Sequence, residues 1–135
     1  MRILLDSNIW LAIVTCDGVS RALWRRIRDR VTVVAADVLY AEIRDKLVRK
    51  FNFSPAHAAM MTGYVRLRSR SVGNPRLENP ACRDPDDDRV LAAATAGHCE
   101  YLITRDNDLL ALVEYRGVRI MRLREFSGIL DRGSS

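Results

Sequence analysis

The sequence predicts an α/β protein, a parallel sheet with helices on both faces. Three observations carry this. Short apolar runs rich in Val, Ile and Leu alternate with longer segments whose apolar residues recur at helical spacing. Parallel strands need crossover connections, and the intervening segments are long enough to supply them. Aspartates fall at the ends of two of the strands, the edge at which open α/β sheets bind ligands.

The elements read in order as follows. Arg2 to Leu5 is a short apolar run and a buried strand. Ser7 and Asn8 can cap the helix that continues through Trp10 to Val14. Ser20 can cap a second helix, with Leu23, Trp24, Ile27 and Val31 on one face. Val31 to Ala35 is β-branched and strand-like. Asp37 caps a long helix whose stripe is Leu39, Ile43, Leu47 and Val48. A fourth helix runs from about Pro55 to Leu67, with proline suited to its first turn. Ser69 to Asp86 is dense in Pro and Asn and reads as a loop. Asp86 to Asp88 open a helix through Thr95 that Gly97 stops. Tyr101 to Thr104 is a strand, Asn107 to Leu112 a short helix, Val118 to Met121 the last strand and Arg124 to Leu130 the last helix. Residues 1–131 form one domain on this reading, and 132–135 a flexible tail.

Composition narrows the class. The chain has 135 residues, 48% hydrophobic and 29% charged, too apolar for a disordered chain. Such a length buries roughly two-thirds of its unfolded surface, so it needs no disulfide or zinc staple. No apolar run nears the roughly 18 residues of a membrane span. Met1 leads straight into a strand pattern, not a signal peptide. Cys16, Cys82 and Cys99 are widely spaced and odd in number, which argues against a secreted disulfide framework. The expectation is a cytoplasmic protein without membrane contact.

The net charge is +5, and all the basic residues but Lys46 and Lys50 are arginines. Arginine grips phosphate bidentately and stacks on bases, so this balance suits a polyanion partner, although biased arginine usage produces the same excess. Against this background, acids crowd into Asp84-Pro85-Asp86-Asp87-Asp88. A basic surface around an acidic focus fits a metal-dependent enzyme acting on a polyanion.

Asp6 follows the first strand, and Asp106 follows Leu102-Ile103-Thr104. Each can simply cap the helix after it. The acids at 86–88 can serve the positive end of their helix, but one suffices for that, and a run of them repels itself unless a cation intervenes. Glu42 lies beside the apolar stripe of the third helix and can also pair with Lys46 at i+4. Oxygen ligands without paired thiolates or histidines select Mg²⁺ or Mn²⁺. Adjacent His98 and Cys99, with no CxxC or HxxxH, offer no zinc spacing. There is no GxSxG elbow and no Gly-rich phosphate loop.

In its ordered acids the chain resembles the PIN-domain family, in particular the VapC-like toxin ribonucleases of prokaryotic type II toxin–antitoxin systems. The likeness covers nearly the whole chain. It rests on Leu4-Leu5-Asp6-Ser7-Asn8, on Leu39-Tyr40-Ala41-Glu42-Ile43, and on Cys82-Arg83-Asp84-Pro85-Asp86-Asp87-Asp88 with the alanine-rich helix after it. It continues through Tyr101-Leu102-Ile103-Thr104-Arg105-Asp106-Asn107-Asp108 and closes with Gly117-Val118-Arg119-Ile120 and Arg124-Glu125-Phe126. The order and spacing of these pieces are specific where no single piece is.

The resemblance implies a three-layer α/β/α sandwich with a central parallel sheet. It implies catalytic acids at Asp6, Glu42, Asp87 and Asp106, with Mg²⁺ or Mn²⁺ held by Asp6, Asp87 and Asp106. Asp88 competes with Asp87 for the third position. Ser7, Asn8, Asp84, Thr104 and Asp108 are supporting positions, Ser7 standing where many members have threonine. Arg83, Arg89 and Arg105 are candidates to hold substrate phosphates, against the plainer reading of each as part of a solvated helix or loop face. The implied reaction is endonucleolytic hydrolysis of RNA by metal-activated water, leaving 5′-phosphate and 3′-hydroxyl ends. A cognate antitoxin, whose C-terminal segment would cover the acidic groove, and a possible homodimer are the implied protein partners; Met60, Met61 and Tyr64 can serve either contact or belong to the core. The alternative is a PIN-like module that binds RNA or protein without turnover. A phosphotransfer domain using Asp6 fits less well, because Asn8 stands where one such family has a second aspartate.

Overall fold

The computed structural model describes residues 1–15 and 17–133. The strands are β1 (Arg2–Leu5), β2 (Thr32–Ala35), β3 (Arg70–Ser71), β4 (Tyr101–Ile103), β5 (Glu114–Tyr115) and β6 (Val118–Met121). The helices are α1 (Ser7–Val14), α2 (Gly18–Ile27), α3 (Asp37–Arg49), α4 (Pro55–Leu67), α5 (Pro85–Ala96), α6 (Asn107–Leu112) and α7 (Leu123–Gly133). One sheet joins the strands in the order β3-β2-β1-β4-β6-β5. All neighbours pair in parallel except β5 with β6. The sheet is therefore parallel with one antiparallel edge strand.

From β1 the chain moves outward through β2 to β3, then crosses back to β4 on the other side of β1. Right-handed crossovers in opposite directions put their helices on opposite faces. On one face α1 packs on α2 and α3, α3 on α4, and α7 on α2; on the other, α5 lies against β1 and β2, and α6 against β6. This is the expected three-layer sandwich. Ile3, Leu4, Leu5, Leu102 and Ile103 are fully buried at its centre. Gly97 ends α5 where a Cβ would lie 2.6 Å from Val34 Cγ1, so the helix end meets β2 too closely for any side chain.

Several local expectations are corrected. Asp6, not Ser7 or Asn8, caps α1, accepting from the Ser7 N–H. Asp17 caps α2 by accepting from the Val19 and Ser20 N–H groups, so the helix opens before Ser20. It closes at Ile27 into a 3₁₀ turn, Arg28–Arg30, and leaves Val31 outside it. Asp37 is the first residue of α3, not its cap; Asn74 Oδ1 accepts from the Val38 N–H instead. The segment read as one loop begins with β3, and α5 starts at Pro85, capped by Asp84. The last helix extends through Arg132 to Gly133, while Ser134 and Ser135 lie outside the described residues. Cys82 and Cys99 are free thiols; Cys16 lies outside the described residues. No helix of the described residues is long and apolar enough to cross a membrane.

Candidate metal centre

The sheet reverses its winding between β1 and β4, and ligands of open α/β sheets bind outside the strand ends at such a point. The ladder runs one residue past each strand: the Asp6 N–H donates to Ile103 O at 2.9 Å, and the Thr104 N–H to Met121 O at 3.1 Å. Asp6 and Thr104 are thus held by sheet geometry before any side-chain contact is made. Their side chains then join, the Thr104 hydroxyl donating to Asp6 Oδ2 at 2.8 Å. Asp6 Oδ1 accepts from the Ser7 N–H at 2.8 Å. A carboxylate has about four acceptor sites, and these bonds fill two of them.

Asp106 caps α6, accepting from the Leu109 N–H, while its own N–H donates to Thr104 Oγ1 at 3.0 Å. The capping reading of Asp6 and Asp106 is therefore correct for both, and both also line the cleft. Thr104 is fully buried and ties the two acids together.

The cleft has a volume of about 430 Å³. Six carboxylates line it, those of Asp6, Glu42, Asp84, Asp86, Asp87 and Asp106, against two cations, Lys46 and Arg89. That imbalance favours a bound cation. Glu42 faces the cleft from α3: Oε1 accepts from the Ser7 hydroxyl at 3.0 Å and from Lys46 Nζ at 2.7 Å. The i+4 pairing read from the sequence is present, within the cleft wall.

Burial is the largest influence on Asp6 and raises its pKa; the bonds from Thr104 and Ser7 oppose it, and the charges of Glu42 and Asp106 add to it. Asp87 is also buried, and its carboxyl is pushed up to about 6, first by burial and then by Asp106, Asp84, Asp6 and Asp108. Buried acids held close enough to resist ionisation together are what a divalent cation relieves.

Carboxylate oxygens of Asp87, Asp106 and Asp108 lie within 4.8 Å of one another. Opposite ligands of an octahedral Mg²⁺ shell are about 4 Å apart, and such ions bind one or two carboxylates with water in the remaining positions. The donor set, all carboxylate oxygen, fits Mg²⁺ or Mn²⁺.

The two adjacent acids of α5 separate cleanly. Asp87 is buried and lines the cleft. Asp88 Oδ1 accepts from the Ala81 and Cys82 N–H groups at 3.0 and 2.8 Å and is absent from the cleft lining. Asp88 thus anchors the loop before α5. Asp84 lines the cleft while capping α5 through the Asp86 N–H. Asn8 lines it and accepts from the Arg105 N–H at 3.3 Å.

The three candidate arginines divide. Arg89 lines the cleft. Arg83 pairs with Asp108 at 3.3 Å. Arg105 is turned to the start of α2, where it pairs with Asp17 at 3.2 Å and bonds Ser20 Oγ at 2.9 Å, and it does not line the cleft. Asp86 and Lys46 were not expected as cleft residues; for Lys46, the signal in the sequence was its place one turn after Glu42.

A larger hollow of about 760 Å³ lies away from the acids, between α2 and α4. Its lining includes Trp24, Phe53, Met60, Met61 and Tyr64, with Arg21, Arg25 and Arg28, and no carboxylate. It lacks the carboxylates that would hold a divalent metal.

Solved structures share the fold. VapBC2 of Rickettsia felis, bound to a DNA fragment from its promoter, is 9% identical, with a TM-score of 0.65 over 89% of this chain and 97% of that one. PAE2754 of Pyrobaculum aerophilum is 14% identical, with a TM-score of 0.63 over 98% and 90%. VapC20 of Mycobacterium tuberculosis, a sarcin–ricin loop cleaving toxin, is 15% identical, with a TM-score of 0.60 over 87% and 98%. No curated protein matches the chain. The PIN domain matches residues 2–108, which include all four expected catalytic acids. The chain belongs to the PIN domain family.

Proposed function

We propose that the protein is a divalent-metal-dependent endoribonuclease, the toxin of a toxin–antitoxin pair. The single observation that carries the reading is the acidic cleft at the β1–β4 switch point, in which Thr104 links Asp6 to the Asp106 backbone. Family membership and the likeness to VapC proteins support the same reading.

Asp6, Asp87 and Asp106 are the residues that hold Mg²⁺ or Mn²⁺, with Asp108 beside them and Glu42 acting directly or through water. When bound, the metal supplies an activated water and neutralises charge on the phosphate and on the departing 3′ oxygen. The protein does the positioning. Thr104 and the Ser7 N–H fix the Asp6 carboxylate. The Ser7 hydroxyl and Lys46 fix Glu42. Arg89, on the cleft wall, meets an RNA phosphate, and the exposed Arg83 can follow once it parts from Asp108.

The antitoxin's contact is the apolar hollow between α2 and α4. An amphipathic acidic segment matches its apolar floor and arginine rim.

The test is a mixed RNA pool incubated with Mg²⁺, Mn²⁺ or EDTA, comparing wild type with Asp6→Asn. Cleavage that needs both metal and Asp6 and leaves 5′-phosphate ends is the expected result. Binding of RNA by the folded protein without cleavage under any metal returns the alternative, a module without turnover.

A further inference from the structure

We infer a second, phosphate-binding subsite beside the acidic cleft, formed by Arg76 and Arg89 and fitted to the RNA backbone one step from the bond being cut. The inference rests on the ribonuclease reading above and adds where the strand runs.

A small recess of about 100 Å³ is lined by Ala36, Val38, Asn74, Pro75, Arg76 and Arg89. It shares Val38 and Arg89 with the acidic cleft, so the two adjoin. At that size the recess has room for a phosphate group. The charge agrees: two arginines line it and no acid does.

The recess is built on a fixed segment. The Asp37 N–H donates to Gly73 O at 2.9 Å, the Val38 N–H to Asn74 Oδ1 at 2.9 Å, and the Ser71 hydroxyl to Asp37 Oδ1 at 2.5 Å. These bonds fasten the chain before Arg76 to the start of α3, and Pro75 restricts the backbone next to it. Arg76 follows this fixed segment and lines the recess.

Both arginines are available. Arg105, Arg26 and Arg49 are engaged by Asp17, Asp131 and Asp45. Among the described residues no salt bridge involves Arg76, and that of Arg89 to Asp86 is long, at 3.9 Å. Val38, Glu42 and Lys46 stand at i, i+4 and i+8 on α3 and all line the acidic cleft, with Val38 at the recess. Lys46 is therefore about 12 Å further along the helix. A strand lying along α3 passes from the arginine recess, over the acids, toward Lys46.

The experiment is fluorescence anisotropy with a labelled single-stranded RNA decamer in Ca²⁺. A panel of the same decamer carries one neutral methylphosphonate linkage, moved along the strand. Arg76→Gln is expected to weaken binding about three- to tenfold and to lower the salt slope by about one. At one linkage, neutralisation costs wild type a similar factor and costs Arg76→Gln nothing further, the signature of a direct contact. Arg76→Lys recovers most of the affinity, and Arg116→Gln, on the β5–β6 turn, leaves it unchanged. Wild-type affinity in Arg76→Gln, or additive losses at every linkage, overturns the subsite. RNA bound with this signature but left uncut in Mn²⁺ overturns the ribonuclease reading alone. An absence of RNA binding by wild type overturns both.

Discussion

The Thr104 hydroxyl donates to Asp6 Oδ2 at 2.8 Å, joining residues 98 positions apart in sequence. The hydroxyl oxygen, Thr104 Oγ1, accepts in turn from the Asp106 N–H. One buried hydroxyl thus sets the orientation of an acid at the end of β1 and the backbone that presents an acid after β4. Thr104→Val keeps the shape and removes both bonds. Residues that orient a metal ligand in this way typically contribute 10- to 100-fold to activity. We expect RNA cleavage to fall by about that factor. Two buried polar groups lose a partner, so stability falls by about 1–3 kcal/mol, read by urea denaturation. Thr104→Ser retains the hydroxyl and most of the activity.

The Asp87 carboxyl, raised to about 6 by burial and by its acidic neighbours, makes stability depend on pH. The fold binds this proton more tightly than the unfolded chain does, whose aspartate titrates near 3.8. The resulting stabilisation is fully present below about pH 4 and is lost as pH rises through about 6. Asp87→Asn has no such loss. In EDTA, the stability of the variant relative to wild type is expected to grow between pH 4 and pH 7.5, by about 1–2 kcal/mol with solvent screening. Urea denaturation at the two pH values measures it. A difference independent of pH contradicts the assignment of Asp87 as the strained acid.

Metal binding separates Asp87 from Asp88. Anything that binds only the folded state raises the melting temperature, by about 2.7 kcal/mol of stability at a hundred times the dissociation constant. Millimolar Mn²⁺ is expected to raise the wild-type melting temperature and to have little effect on Asp87→Asn or Asp106→Asn. Asp88→Asn is expected to melt lower, because two loop N–H groups lose a charged acceptor, and still to respond to Mn²⁺. Loss of the Mn²⁺ response in Asp88→Asn alone reverses the assignment.

Where each element could be read from the sequence has a physical explanation. β1, β2, β4 and β6 are apolar because the parallel sheet buries both faces, and they were legible for that reason. β3 is two exposed residues at the sheet edge, Arg70 and Ser71, and no apolar side-chain pattern marks it. β5 turns into β6 through Arg116 and Gly117, both at positive φ; arginine is not the usual residue for such a turn, so the hairpin carried no signal. The positions of Asp6 and Asp106 followed from strand ends. The choice between Asp87 and Asp88 did not, because both sit in the first turn of α5 and only the loop that Asp88 anchors distinguishes them. Arg105 reads as a free cation because the partner that engages it, Asp17, is 88 residues away in sequence.

Gly97 tests the packing beneath the site. A methyl there would lie 2.6 Å from Val34 Cγ1 on the sheet strand beside β1, and a valine side chain is too stiff to swing clear. Gly97→Ala is expected to destabilise the protein by about 1–3 kcal/mol, an overpacking cost, although alanine is the better helix former. Urea denaturation reads this directly; a neutral or stabilising outcome contradicts the close approach of α5 to β2.

The most direct test of the central claim is the single-turnover rate of RNA cleavage in saturating Mn²⁺, comparing wild type with Asp6→Asn. The account predicts a fall of about 100-fold or more, with an unchanged far-ultraviolet circular dichroism spectrum. A variant that cleaves within twofold of wild type shows that the acidic cleft at the β1–β4 switch point is not the catalytic centre.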